Sequence, residues 1–245
     1  MWRYIDLHKL IDLAQTSQLH FTRTDKFSDP FEGVTCKHLA DRFFASKSNM
    51  TNPTIDEETR IAHNKRNKEK LEAYVLETSR RQRTQLINCW LRSTRESIAM
   101  WNLYYNRVSV AIRADARSSI DYFKLNLELQ PNYEPRYQFI CGSVSYHKLN
   151  PFDAFEKTTL PKYSSFKKEE AYDFEKEFRF LIATPIDKAD TNSECVRLPV
   201  TKNFIELLEI VCHPEMEGWK FQNMIELCNR LGLPEPSKSR IEMRI

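Results

Sequence analysis

Apolar positions along this chain switch between a period of two and a period near 3.6, and the switching predicts its elements. Trp2–Ile5 is a short apolar-rich run, Leu7, Leu10, Ile11 and Ala14 recur at helical spacing, and Leu19–Thr24 is extended again. Residues 2–23 are therefore expected to form strand, helix and strand. A turn follows through Lys26-Phe27-Ser28-Asp29-Pro30-Phe31-Glu32-Gly33, where Pro30 turns Asp29 away from helix and Gly33 supplies a flexible exit. Thr35 to about Ala45 reads as a helix with Leu39 and Phe43 on one face, and residues 46–55 as a polar break. From Asp56 to about Arg83 charge is dense and the apolar positions Ile61, Leu71, Tyr74 and Val75 are sparse, so an exposed helix is expected. Residues 46–85 are read as a helical insertion in a single domain spanning 1–245.

Leu86–Leu91 reads as a buried strand, and Ser93-Thr94-Arg95-Glu96 has the spacing of a capping box that opens a helix carrying Ile98, Met100, Trp101, Tyr104 and Tyr105. Beyond it the pattern predicts a strand at Val108–Arg113, a helix over roughly Ser118–Leu129 and a strand at Tyr137–His147 with a bulge at Cys141-Gly142. A long proline-containing connection covers 149–166, a composition common in binding loops. Strands at Cys195–Val200 and Leu207–Cys212, a helix from about Met216 to Leu231 closed by Gly232, and a last strand near Arg240–Ile245 complete the chain. Strands scattered among helices without a βαβ period predict an α+β fold: a mixed, mostly antiparallel sheet flanked by helices, with the charged helical insertion.

The stretch that carries chemistry runs from Lys167 to Ala183, K-K-E-E-A-Y-D-F-E-K-E-F-R-F-L-I-A. Strand alternation would set Phe174, Lys176, Phe178 and Phe180 on one face and Glu175, Glu177, Arg179 and Leu181 on the other. Two carboxylates beside a guanidinium make a plausible site, because the arginine holds one acid ionised while the other acts. The same residues on a solvated face would amount to a surface ion pair worth about 0–1 kcal/mol.

Composition narrows the classes. With 4 glycines in 245 residues there is no G-x-G-x-x-G and no phosphate loop. A net charge of +3 does not make the whole molecule a nucleic-acid polycation. No apolar run approaches the roughly 20 residues of a membrane span, and the N-terminus Met-Trp-Arg-Tyr-Ile-Asp has no apolar signal region, so a cytoplasmic protein without membrane contact is expected. The six cysteines form no C-x-x-C and read as reduced thiols. No G-x-S-x-G supports a serine hydrolase. Cys36-Lys37-His38 and Cys212-His213-Pro214-Glu215 are local pairs without a second half, so no metal site is assigned. A metal nuclease would gather Asp29, Glu32, Glu175 and Glu177 around a cation, although no D-x-n-E-x-K core is present. Arg80, Arg81 and Arg83, with Arg92 and Arg95 nearby, form the basic patch on which a nucleic-acid-binding alternative rests, and the arginines that end a helix also offset its dipole.

Four patches together resemble the family catalogued as domain of unknown function 2971. They are Trp2-Arg3-Tyr4 leading to Leu19–Arg23 and Phe27–Gly33; Cys89-Trp90 with Glu96-Ser97, Met100-Trp101, Tyr104-Tyr105 and Val108–Ile112; Lys168 ahead of Phe174–Arg179; and Ile210–Pro214 through Trp219 to Ser239. The chain departs in lacking a glycine before Val108. Its order of strand, helix and strand followed far downstream by a strand bearing E-x-E is also similar to ADP-ribosyltransferases. That resemblance implies NAD as substrate, with Arg3 or Arg23 on the diphosphate, Thr22 at the nicotinamide ribose, and Tyr105 or Trp101 stacked on a ring. It further implies Glu177 as the catalytic carboxylate stabilising charge at the ribose, Glu175 orienting the acceptor, and Arg179 setting the ionisation of Glu177. Asp29, Glu32 and Lys168 complete the expected pocket. The acceptor would be a protein or a nucleic acid, and a toxin or phage-defence role would suit such an enzyme. The remaining alternative is a non-catalytic interaction module in which Asp29, Glu32 and Arg179 form only a structural network.

Overall fold

Strand β3 (Gln85–Leu91) is buried along almost its whole length, and the sheet is assembled on its two edges. One edge carries β8 (Glu177–Ala183), antiparallel from Gln85 opposite Ala183 to Leu91 opposite Glu177. The other edge is shared. Trp2 of β1 (Trp2–Ile5) pairs with Leu91 at one end, and Thr22 and Arg23 of β2 (Gln18–Arg23) pair with Ile87 and Leu86 at the other. Between those points β1 and β2 diverge, and the sheet splits.

The computed structural model describes residues 1–27, 56–103, 107–131, 133–147 and 164–241. In chain order the remaining elements are α1 (Leu7–Thr16), α2 (Glu57–Arg83), α3 (Ile98–Leu103), β4 (Val110–Arg113), α4 (Ala116–Glu128), β5 (Gln138–Ser143), β6 (Ser145–His147), β7 (Lys167–Glu169), β9 (Cys195–Pro199), α5 (Lys202–Glu206), β10 (Glu209–Cys212), α6 (Gly218–Leu231) and β11 (Ser237–Lys238). The nine-stranded sheet runs β11-β10-β4-β1-β3-β2-β9, with β8 on β3 and β5 on β8, and β6 and β7 form a separate parallel pair. Every registered pair in the large sheet is antiparallel except β10 with β11. This is the mixed, mostly antiparallel α+β architecture that the sequence predicts.

The two faces of the sheet bury different cores. On one, Leu86, Trp90, Phe180 and Ile182 pack with Leu10 and Leu13 of α1, Phe123 of α4 and Met224 and Cys228 of α6. Phe123 meets Phe180 edge-on at 4.8 Å and Phe21 at 6.2 Å. On the other face Trp2, Tyr4, Leu91, Ala111 and Val211 pack with Trp101 of α3, whose ring stands edge-on to Tyr4 at 4.8 Å. Helix starts are secured by side-chain oxygens, as propensity requires: Asp6, Asp56, Asp115 and Thr201 each accept from a backbone N–H three residues on. Gly232 closes α6 in the left-handed conformation at φ 67°.

Several local expectations are corrected. Ser93–Glu96 is not a capping box: α3 starts at Ile98, Ser97 Oγ accepts from Met100 N–H at 3.4 Å, and Glu96 is drawn elsewhere. Its carboxylate accepts from the Trp101 indole at 3.1 Å, from Ser239 Oγ and from the Arg240 N–H at 3.0 Å, tying the C-terminal segment to the helix. No bulge interrupts Cys141-Gly142, which stay in register with Phe180 and Arg179; the break comes at Val144, whose N–H goes to Glu177 O at 2.9 Å. Leu207 precedes β10 rather than belonging to it; the last described strand is Ser237–Lys238, and most of the strand predicted near 240–245 lies outside the described residues. The arginines of the expected basic patch are partly neutralised, Arg81 by Glu77 at 2.8 Å and Arg83 by Asp190 at 2.8 Å, with Arg80 3.9 Å from Asp190. The predicted helix at 35–45, the polar break at 46–55 and most of the turn before them lie outside the described residues. Among the described residues no helix is long and apolar enough to cross a membrane.

Phe123 is fully buried between Phe21, Phe180 and Phe204. Phe123→Ala is expected to lower unfolding free energy by about 3–5 kcal/mol, read as a fall in the urea midpoint with an unchanged slope.

Candidate active site

Where β1 parts from β3 the second face of the sheet opens into a cleft of about 390 Å³. Its floor is Trp2, Arg3 and Tyr4 of β1 with Cys89, Trp90 and Leu91 of β3; Phe27 and α3 residues Met100 and Leu103 wall one part. The opposite wall is polar: Lys168, Tyr172, Glu175 and Glu177. Aromatic rings and a compact charged cluster thus share one concavity, the usual make-up of a small-molecule site.

The charged wall is built by a kink and not by strand alternation. Residues Glu170–Glu175 form a 3-10 turn, started by Glu169, whose carboxylate accepts from Ala171 N–H at 2.5 Å. Lys176 then takes the left-handed conformation, φ 39° and ψ 50°, and only Glu177 begins the strand. The expectation that Phe174 and Lys176 continue one strand face with Phe178 is therefore corrected. A left-handed non-glycine residue costs of order 1 kcal/mol or more. Lys176 is held there by its N–H on Asp173 O at 3.1 Å and by Arg92 N–H on its own carbonyl at 2.9 Å. The turn brings Glu175 round to the same cation as Glu177.

That cation is Lys168, 7% exposed, whose Nζ donates to Glu175 Oε2 at 2.5 Å and Glu177 Oε1 at 2.8 Å. Arg179, fully buried, donates from Nε to Glu177 Oε2 at 2.6 Å and from Nη1 to the Ser165 carbonyl. Each oxygen of Glu177 therefore faces a different cation. Lys168 also lies 4.6 Å from the Tyr172 ring centre. The parallel pairing of β6 and β7 sets Tyr146 beside Lys168, and its phenol oxygen accepts from Glu177 N–H at 2.8 Å.

This arrangement drives the two acids apart. Glu175 is pushed up to about 7, first by burial and then by its hydrogen bond to Glu177, against the pull of Lys168. Glu177 is itself penalised by burial, yet Arg179 outweighs that penalty and, with Glu175 and Lys168, holds it well below the usual carboxylate range. A carboxyl that exchanges its proton near neutrality beside one that stays ionised is an acid–base pair. Burial raises the Tyr146 phenol to about 12, which keeps it protonated.

The sequence-predicted residues are divided by the structure. Glu175, Glu177, Lys168 and Arg3 meet at the cleft, with Arg179 directly behind. The Arg3 guanidinium lies 6.0 Å from the Trp90 ring centre. Thr22 does not line the cleft; it is hydrogen-bonded with Cys195 on the neighbouring strand, near Arg3. Arg23 turns away, bidentate to Asp25 at 2.9 Å on both oxygens and bonded to Asn192 O at 2.7 Å. Trp101 is fully buried beneath the cleft with its indole on Glu96, so its ring offers no stacking face to a ligand. Tyr105, Asp29 and Glu32 lie outside the described residues. Sequence reasoning did not assign Tyr146, Ser165 or Tyr172 to the site: Tyr146 and Ser165 carry no motif signal, and Tyr172 lies in the charged stretch without one of its own. Among the described residues no group of three or more His, Cys, Asp or Glu side chains could hold a metal ion.

Glu175 binds its proton more tightly folded than unfolded, so its contribution to stability is complete below 4.5 and is lost as pH rises through about 7. Glu177 contributes in the opposite sense, above its ordinary 4.5, and loses that contribution as pH falls. Glu175→Gln is expected to flatten the decline in melting temperature between about pH 5 and 8, measured by calorimetry. Arg179→Met leaves Glu177 without one of its cations and is expected to cost about 3–5 kcal/mol at neutral pH, measured by urea unfolding.

No protein-family model matches this chain, and no curated protein and no solved structure matches it either.

Proposed function

We propose that the cleft is the active site of an enzyme in which Glu175 and Glu177 act as an acid–base pair on a nucleotide-like substrate, with NAD the first candidate and ADP-ribosyl transfer the reaction. The observation that carries this reading is the pair itself: two carboxyls on one buried lysine, one held ionised and the other raised to about 7, at the wall of an aromatic cleft. A perturbed acid with a specific charge partner in a cleft marks a candidate functional site. Tyr172, half-buried at the cleft wall, supplies a face for a planar ring, and Arg3 is the cleft guanidinium suited to a diphosphate. In the transfer the bond between the ribose C1′ and the nicotinamide nitrogen breaks, and nicotinamide leaves as the neutral base with the bonding pair. The acceptor bonds to C1′ and its proton passes to the Glu175 carboxylate, while ionised Glu177 opposes the positive charge developing on the ribose. The kinship with domain of unknown function 2971 and with ADP-ribosyltransferases belongs to the same proposal. So does a cytoplasmic setting.

A metal nuclease would need a divalent ion between these carboxylates. The Lys168 ammonium stands at that point, 2.5 and 2.8 Å from them, which favours proton transfer as the chemistry of the pair.

Incubation of the purified protein with NAD, with and without cell lysate, is expected to release nicotinamide and to add ADP-ribose mass to an acceptor. Glu175→Gln should lower the rate by about 10²–10⁴-fold while leaving the fold intact by circular dichroism. Absence of release, together with no NAD-induced rise in melting temperature, would overturn the reading.

A further inference from the structure

Of the buried polar residues in the described structure, Gln85, Lys168, Glu177 and Arg179 through their side chains and Ser165 through its backbone belong to one connected chain. It begins at the end of α2, where Gln85 Nε2 donates to the Arg81 carbonyl at 3.4 Å. Gln85 Oε1 accepts from the Ser165 N–H at 3.2 Å. The Ser165 carbonyl accepts from Arg179 Nη1, Arg179 Nε donates to Glu177 Oε2 at 2.6 Å, and Lys168 closes the chain on Glu177 and Glu175. Gln85 is 4% exposed, lies outside the cleft and touches none of the acids. Its strand position, opposite Ala183 at the far end of β3 from Leu91, could hold an apolar residue, and a buried polar network of this kind adds little stability over well-packed apolar side chains.

We infer that Gln85 is a positioning residue for the acid pair: by holding Ser165 it fixes the carbonyl that aims Arg179, and through Arg179 it holds the charge on Glu177. This rests on the acid–base reading above. The anchor is backbone to side chain at each end, and the guanidinium is held at two points, Nε on the carboxylate and Nη1 on the carbonyl. Loss of the Gln85 acceptor frees the turn Ser164–Phe166 to shift, and Arg179 shifts with it. Both proton steps of the pair then move to higher pH, because the positive charge opposing ionisation loss at Glu177 has weakened. The other groups facing the pair are Lys168 and Tyr146 on β7 and β6, Tyr172 on the 3-10 turn, and Arg3 and Cys89 on the cleft floor.

The test is a carboxyl carbon NMR titration of glutamate-labelled protein for wild type, Gln85→Met and a control, Leu10→Ala, which destabilises the main core on α1. The inference expects a wild-type step near neutrality that moves upward by about half a pH unit or more in Gln85→Met and stays in place in Leu10→Ala. A Gln85→Met protein with lowered melting temperature and an unmoved step overturns the positioning role and leaves the acid pair standing. A wild type without any carboxyl step near neutrality removes the acid–base reading itself. Should Gln85→Met fail to fold, Gln85→Thr breaks the same bond with a residue that suits a strand and admits a water, and the same shift decides.

Discussion

A carboxylate taken out of water has to be answered by positive charge, and much of the cleft wall is arranged to answer Glu177. Arg179 reaches it from the same strand, two residues on, and Lys168 reaches it from β7. Neither cation is free of its own demands. Arg179 is fully buried and needs the Ser165 carbonyl; Lys168 takes Glu175 and the Tyr172 ring as well. Burying several charges together is costly, and the cost is contained because each ion meets opposite charge or a hydrogen-bond partner. The small parallel pair of β6 and β7 follows from the same constraint, since it carries both Tyr146 and Lys168 to Glu177.

Placement of that charged wall beside aromatic rings depends on the sheet. Were β1 and β2 continuous neighbours, the edge of β3 opposite β8 would be sealed. Instead, β1 holds β3 by the Trp2–Leu91 pair and then follows β4, while β2 holds the other end and follows β9. The aromatic cluster of Tyr4 and Trp101 beneath the cleft fixes α3, and Glu96 fixes the C-terminal segment to α3 in turn. Rigid elements therefore support the floor, which is what a site that orients a planar ligand requires.

Much of this was legible in the amino-acid pattern. Period-two runs marked β1, β2, β3 and β8, and period-3.6 runs marked α1, α4 and α6, because each buries one face in a core and burial dictates the spacing. Glu177, Glu175, Arg179 and Lys168 stood out as a charged group leading into an apolar strand. What the pattern could not carry is long-range. Arg23 looked like a ligand-binding arginine until Asp25 and Asn192 closed on it, and Asn192 is 169 residues away. Trp101 looked like a stacking platform, but helical spacing does not distinguish a ring under a cleft from one facing it. Glu96 fitted a capping box three residues after Ser93, and tertiary partners at Ser239 and Arg240 outbid the local one.

The most instructive difference lies between Glu175 and Glu177 themselves. Alternation along a strand would also put them on one face, so the sequence argument reached the right neighbours by the wrong route. In a regular strand their side chains would stand about 6.5–7 Å apart along the chain, far enough for each to take its own partner and ionise near its usual value. The left-handed turn at Lys176 shortens that separation and puts both on one ammonium, and one ammonium cannot fully oppose two charges. Arg179 then breaks the tie in favour of Glu177, leaving the proton with Glu175. The strained backbone at Lys176 is thus the feature that converts two ordinary acids into an unequal pair, and a residue able to relax that φ without cost would be expected to loosen the pair before it loosened the fold.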